Sequence, residues 1–253
     1  VSREEVRMET ALGVLVTAVV VGIAGLVVLA IWRARVADAR LGSVLVVAWL
    51  ALALVLSALG VFIARADSLF PAIALGITPP LLAGYWFLRR SQFLGAIPVD
   101  SLIRFQGFRI AGALFLAYLA AGLLPREFAL PAGIGDVLVG LSALLVARRV
   151  KNAGPERSWR LAVAWNMAGL VDFAIAVGTG FLTSPSPFQL PALDAPNTMI
   201  TAFPLALIPT FAVPLFAVLH VACLRRLLAG SSSAQPHQGL TAGFTAPGSD
   251  PAR

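Results

Sequence analysis

The chain has 253 residues and a formal net charge of +7; 59% of its residues are apolar and only 12% are charged. A soluble domain carries roughly 45–50% apolar and about 25% charged residues, whereas this chain has a mean hydropathy of +0.89. The composition excludes a disordered chain, a nucleic-acid-binding domain and an ordinary soluble enzyme, and it predicts a polytopic membrane protein.

Seven apolar runs predict an all-α bundle of seven transmembrane helices, since about 20 residues suffice to cross a hydrocarbon core of about 30 Å. In chain order the runs occupy residues 11–32, 41–64, 68–88, 106–124, 128–147, 161–183 and 201–224. The fourth run is the weakest, and it is long enough only if its helix begins near Asp100 and carries Arg104 and Arg109 at its entry. The first run exceeds the roughly 7–15 residues of a signal-peptide core, so we expect it to be retained as a helix.

The basic residues are distributed unevenly between the two ends of this predicted bundle. One end carries four of the 19, namely Arg3, Arg7, Arg65 and Arg126, and the other end carries the remaining 15. Because basic loops stay in the cytoplasm, the asymmetry predicts an N-terminus outside and a C-terminus inside. Residues 1–228 are therefore predicted to form a single membrane domain, followed at 229–253 by a disordered cytoplasmic tail rich in Ser, Gly and Pro.

Two carboxylates interrupt the predicted spans, Asp136 in the fifth and Asp172 in the sixth. Charged groups at membrane depth are costly and usually face the bundle interior or water. At about 1.5 Å per residue, both lie in the middle or outer part of the membrane, at the level of Thr78 and Thr210, which flank prolines. Together with Asn166, these residues form the predicted ligand-binding site, and Arg109 is its candidate charge partner.

Each of these residues also has a purely structural interpretation. Asp136 is compatible with the cap of a helix that starts late, and Asp172 with a buried hydrogen-bonding group. Asn166 is compatible with a bond between helices, and the prolines with packing kinks. Arg109 either extends to the inner membrane surface or reaches inward to Asn166 or Asp172.

Several chemistries are excluded by the residue inventory. The only lysine, Lys151, lies in a predicted loop, so no retinal Schiff base can form in the last helix. His220 and Cys223 are three residues apart in the seventh run, but they lack enough further ligands for a closed metal site. Neither a phosphate-binding loop nor a Ser/His/Asp set is recognisable. The sequence therefore predicts no metal, no cofactor and no catalytic residue.

The segment Gly133–Asp136 matches the GxGD motif of presenilin-like intramembrane aspartyl proteases, and residues 191–193 (PAL) are similar to a second motif of that family. The resemblance implies a pair of aspartates that share one proton. In that family the partner aspartate precedes the motif, whereas Asp172 follows it, and the PAL sequence here lies in a predicted outer loop. A membrane-embedded hydrolase is therefore the third functional hypothesis.

A broader resemblance covers residues 95–224. The segments that carry it are 108–112 (FRIAG), 122–136 (GLLPREFALPAGIGD), 165–172 (WNMAGLVD) and 204–216 (PLALIPTFAVPLF). They resemble an uncharacterised family of bacterial multi-pass inner-membrane proteins with no established activity. The resemblance implies a bacterial plasma membrane, and the ratio of 18 arginines to one lysine is consistent with a GC-rich bacterial genome.

The leading functional hypothesis is that the protein binds or transports a proton, a cation or a small solute through a polar site in the outer half of the bundle. Arg109 is placed in the inner half, so no basic residue is expected beside Asp136 and Asp172, which favours a proton or cation over an anion. The alternative is a non-catalytic membrane module that recruits partners through its tail or basic loops. Membrane lipid is an expected partner, and nucleic acid is not.

Overall fold

The computed structural model describes residues 3–33, 38–68, 71–90, 97–190 and 196–232. Within these ranges every regular element is a helix, and no strand is present. The all-α prediction is therefore confirmed for the described residues. Most of the predicted tail, residues 233–253, lies outside them, and the last helix continues to Ser232, four residues beyond the predicted end of the membrane domain.

Seven long helices build the described part of the bundle. They are α1 (Arg3–Arg33), α2 (Ala39–Ala58), α3 (Ile73–Arg90), α4 (Val99–Ala120), α5 (Arg126–Ala153), α6 (Trp159–Thr183) and α7 (Val213–Ser232). Two of them contain or adjoin an irregular turn. Helix α4 is wound as a 3₁₀ helix over Gln106–Gly112, and a π-helical turn, Ile208–Ala212, leads directly into α7.

Six of the helices in the described ranges are long and apolar enough to cross a membrane, when α7 is counted together with its π turn. The exception is α3, which is 18 residues long, contains Pro79 and Pro80 and ends in Arg89 and Arg90. The sequence indicated that the fourth apolar run is the weakest candidate for a membrane span. In the structure the weakest candidate is the third helix. Many large apolar side chains face outward, which is compatible with a multi-pass membrane protein, and Val44 in α2 is 62% exposed.

Helix α4 begins at Val99, beside the predicted start at Asp100. Pro98 occupies the cap position without a side-chain hydrogen bond, and Asp100 instead pairs with Arg104 one turn later, at 3.5 Å. The early start gives α4 a length of 22 residues, which is sufficient for a span.

Contacts between helix ends define two ends of the bundle. At one end, Arg225 donates from Nη1 to the carbonyl of Leu88 at 2.6 Å, and Trp159 donates from Nε1 to the carbonyl of Leu227 at 3.1 Å. We call this the basic end, because α3, α5 and α7 bring their terminal arginines there. At the opposite end, the amide of Ala64 donates to the hydroxyl of Thr201 at 3.1 Å.

Helices α4 and α5 approach closely because glycines line their contact. A Cβ atom at Gly140 would stand 2.6 Å from the backbone nitrogen of Ile110, and one at Gly133 would stand 2.7 Å from a methyl carbon of Leu116. Small residues of this kind let the backbones of membrane helices approach one another. The close approach brings the 3₁₀ segment of α4 against the middle of α5, where Asp136 lies.

Candidate functional site

Arg109 lies at the centre of the bundle, in the 3₁₀ segment of α4, and its side chain is 1% exposed. Its Nε atom donates to Oδ1 of Asp136 on α5 at 2.7 Å. Its Nη2 atom donates to Oδ2 of Asp172 on α6. One guanidinium group therefore bridges two carboxylates from neighbouring helices, and its planar fork of donors suits it to this geometry.

The third guanidinium nitrogen faces α6 and α7. Nη1 donates to the backbone carbonyl of Gly169 at 3.2 Å and lies 3.1 Å from Nε2 of His220. The ring of Phe173 covers the face of the guanidinium, with its centroid 3.7 Å from Cζ, so a cation–π contact adds to the hydrogen bonds. Arg109 thus contacts groups from α5, α6 and α7 at once.

His220 extends this arrangement towards the basic end. Its Nδ1 lies 2.8 Å from Oδ1 of Asn166, and Nδ2 of Asn166 donates to the carbonyl of Ala162 at 2.7 Å and to Sγ of Cys223 at 3.3 Å. Because Nη1 of Arg109 is a donor, Nε2 of His220 must accept, and Nδ1 carries the proton that is donated to Asn166. His220 is therefore the neutral imidazole in this network.

The charges of the buried cluster do not balance. Arg109 supplies one positive charge, whereas Asp136 and Asp172, whose side chains are each 13% exposed, supply two negative charges when both are ionised. Each carboxylate uses one oxygen on Arg109, and the described residues provide no hydrogen-bond donor to the second oxygen of either one. An excess negative charge in an apolar interior is expensive unless a proton or a cation neutralises it.

Three glycines make room for the charged side chains. A Cβ atom at Gly112 would overlap Cβ of Asp136, one at Gly135 would overlap Oδ1 of Asp172, and one at Gly169 would overlap the ring of His220. The two glycines of the GxGD segment thus have separate packing roles, since Gly133 contacts α4 and Gly135 contacts the carboxylate on α6.

A cavity of about 270 Å³ adjoins Asp136 on the side away from the basic end. Its lining comes from the start of α3, from α4, α5 and α6, and from the segment that leads to α7. Most of this lining is apolar, and it includes Phe115, Phe128 and Phe173. Asp136 therefore connects the buried charge cluster with an apolar chamber.

Four of the six predicted site residues meet in this cluster: Arg109, Asp136, Asp172 and Asn166. Asp136 is not a helix cap, because α5 begins ten residues earlier at Arg126. Arg109 points into the bundle and reaches Asp172 as well as Asp136, and the expectation that no basic residue neutralises the carboxylates is wrong, since the guanidinium lies between them. Residue counts placed Arg109 at a different depth from the two acids. Its long side chain nevertheless reaches both carboxylates.

Thr78 and Thr210 lie outside the cluster. Thr78 is exposed on α3, and the buried hydroxyl of Thr210 donates to the carbonyl of Ala206 at 2.7 Å. The carbonyl of Thr210 accepts from Nε1 of Trp49 at 3.0 Å. Similar depth was the basis for including both threonines, but depth does not fix the direction in which a side chain points around its helix.

The roles of His220 and Phe173 were not predicted. The spacing of residues on α6 nevertheless indicates that one face of this helix makes a polar contact. Asn166, Gly169, Asp172 and Phe173 follow one another at spacings of three, three and one, which places them on one helix face. A face with an amide, a carboxylate and no bulky aliphatic residue in an apolar helix predicts a polar contact with a neighbour.

The geometry does not support the hydrolase hypothesis. Two aspartates that share a proton need carboxyl oxygens in direct contact, whereas Arg109 bridges Asp136 and Asp172 here. Residues 191–193, which are similar to the second protease motif, lie outside the described residues.

The sequence match to a known family covers this cluster completely. Residues 80–228 match the family described as Domain of unknown function (DUF8737), which is more than half of the chain. The chain belongs to this family. The match includes the residues that hydrogen-bond to Arg109 or stack on it, and it begins within α3, so α1 and α2 precede it. No curated protein and no solved structure matches the chain.

Proposed function

We propose that this DUF8737 protein is a multi-pass protein of the bacterial inner membrane whose Arg109 cluster binds a proton and takes part in proton or cation transport. The long apolar helices support the membrane location. The collection of arginines at the basic end supports seven spans with that end in the cytoplasm, provided that α3 crosses despite its prolines.

One observation carries the proposal: a single guanidinium faces two carboxylates inside the bundle. His220 is neutral and adds no positive charge. Among the described residues that contact the cluster there is no second basic group, since Asn166 is uncharged and Cys223 lies beyond it. One bound proton brings the cluster to neutrality, which is the state that a low-dielectric interior favours.

A chain of polar contacts connects the cavity with the basic end, but arginine does not release its proton, so the chain is not a proton path. From the cavity it leads through Asp136 to Arg109 at 2.7 Å, then to His220 at 3.1 Å and on to Asn166 at 2.8 Å. The next contact, to Cys223, is 3.3 Å long and points towards the basic end. We infer that Asp136 exchanges its proton with the cavity, and that the remaining contacts hold the charged groups in place.

Infrared difference spectroscopy of the purified protein tests the proposal, because only a protonated carboxyl group shows the carbonyl stretch of a carboxylic acid. Over a titration from about pH 9 to pH 5, we expect one such band that grows as the pH falls, because burial disfavours the charged form of a carboxyl group. Asp136→Asn or Asp172→Asn should remove the titration of this band. Glu127→Gln serves as the matched control on α5, since Glu127 is exposed and pairs with its neighbour Arg126.

A structural role is the second candidate, and the number of helices that Arg109 joins favours it. In that case Asp136→Asn and Asp172→Asn lower the stability, and wild-type protein shows no titrating carboxyl band. The same spectra therefore distinguish the two functions, and the absence of the band in wild-type protein would reject the proton site.

A further inference from the structure

The cavity beside Asp136 has the chemistry of a binding site for a hydrophobic cation. Its volume of about 270 Å³ is near the lower end of the roughly 300–1,000 Å³ of small-molecule pockets. Within the described lining, Asp136 is the only charged residue, and the hydroxyl groups come from Ser184, Ser186 and Thr201.

Aromatic rings surround the carboxylate end of the cavity. Phe115 and Phe128 contact each other edge to face, with centroids 5.2 Å apart, and both line the cavity. Phe173 lines it as well and already stacks on the guanidinium of Arg109. Aromatic faces attract organic cations, and ammonium groups with apolar substituents are the usual ligands of such sites.

We propose that this cavity binds a hydrophobic organic monocation, an amine or quaternary ammonium compound, with the positive charge next to the free oxygen of Asp136. This inference rests on the proposed proton site, because the cation neutralises the same excess charge. An anion would add to that charge. A hydrated metal ion would need several oxygen ligands, and among the described residues no group of three His, Cys, Asp or Glu side chains is placed so that it could hold a metal ion.

The bound cation and the proton compete. The charged and titratable groups around Asp136 are Arg109 from α4 and Asp172 from α6, and His220 from α7 faces Arg109. If the cation displaces one proton, linkage requires its apparent affinity to fall as the pH falls, by at most about tenfold per pH unit. An exchange of this type is the basic step of a proton–cation antiporter.

Calorimetric titration of the purified full-length protein tests this inference with a pair of matched probes. Benzyltrimethylammonium carries a positive charge, and neopentylbenzene has the same shape with carbon in place of nitrogen. We expect the cation to bind at least tenfold more tightly than the neutral probe at pH 8, to lose that preference at low pH, and to lose it in Asp136→Asn.

Two further variants separate the cavity from the charge cluster. Ala176 lines the cavity, so Ala176→Leu fills part of it and should weaken binding of both probes at least fivefold. Ala174 is exposed on the same helix, and Ala174→Leu should bind both as wild type does. The thermal unfolding midpoint of each variant shows whether it is folded.

The outcomes keep the two proposals distinct. A titrating carboxyl band together with equal binding of the charged and neutral probes would overturn the cation site and leave the proton site standing. Tight binding of the cation that is independent of pH, in a protein without a titrating band, would overturn the proton site and its coupling. Binding that Ala176→Leu leaves unchanged would place the cation outside the cavity and overturn the inference.

Discussion

Gly135 on α5 is the residue that makes room for the carboxylate of Asp172 on α6, since a methyl group at position 135 would overlap Oδ1 of that aspartate. The glycine therefore controls how far Asp172 reaches towards Arg109. A residue adjacent to Asp136 in sequence thus determines the position of the second acid of the cluster.

Gly135→Ala is expected to displace Asp172 from Arg109 and to destabilise the protein by about 1–3 kcal/mol, as overpacked sites do. The matched control is Gly178→Ala on α6, because a Cβ atom at Gly178 meets nothing within 4 Å. That change should be neutral or slightly stabilising, since alanine is favoured over glycine in helices by roughly 0.5–1 kcal/mol. Unfolding of both variants in detergent provides the comparison, and equal stabilities would show that the backbone has room at Gly135.

Arg109→Gln leaves two buried carboxylates without their shared partner, and it is expected to cost about 3–5 kcal/mol. Arg104→Gln is the control on the same helix, because the side chain of Arg104 is 52% exposed and such pairs contribute only about 0.2–1 kcal/mol. The triple variant Arg109→Gln, Asp136→Asn, Asp172→Asn should recover part of the lost stability. If the triple variant is less stable than Arg109→Gln alone, buried charge is not the cause of the loss.

His220 is expected to carry its proton on Nδ1 and none on Nε2 at pH 7, since Nε2 accepts from Arg109. Nitrogen-15 NMR of histidine-labelled protein distinguishes the two ring nitrogens. His237 is the only other histidine of the chain, so His237→Gln leaves a single set of signals. A protonated Nε2 would contradict the hydrogen-bond network described here.

Membrane topology tests whether α3 crosses the membrane. A reporter inserted between Leu59 and Ser68 should be exported, and one inserted between Arg90 and Ile97 should be cytoplasmic, as should a reporter fused after Arg226. The charge distribution predicts this pattern. If the two insertions on either side of α3 report from the same compartment, the chain has six spans and the orientation of α1 and α2 must be reversed.

The helices and the two acids were predicted from the sequence, and Arg109 was named as a candidate charge partner, but its position between the two acids was not predicted. Apolar runs define helix positions, and the depth of Asp136 and Asp172 follows from residue counts at about 1.5 Å per residue. The direction in which Arg109 points does not follow from such counts. The 3₁₀ winding of Gln106–Gly112 changes the direction of the side chains within and after this segment. Periodicity based on 3.6 residues per turn cannot anticipate such a segment.

The two threonines also show that depth along a helix does not determine which way a side chain points. Thr78 and Thr210 both lie beside prolines and were expected at a similar depth, yet one is exposed and the other packs into the interior, where Gly76 of α3 accommodates its methyl group. The signal that was available, the Asn166–Gly169–Asp172–Phe173 face of α6, concerns direction around the helix and not depth.

The winding of the 3₁₀ segment also sets the length of α4. Seven residues rise about 14 Å as a 3₁₀ helix, at about 2.0 Å each, and about 10.5 Å as an α-helix, at about 1.5 Å each. Rewinding Gln106–Gly112 into an α-helix would draw Val99–Phe105 about 3.5 Å closer to Ala113–Ala120 and turn it by roughly 140°. The winding of this one segment therefore sets both the length of α4 and the direction in which Arg109 points.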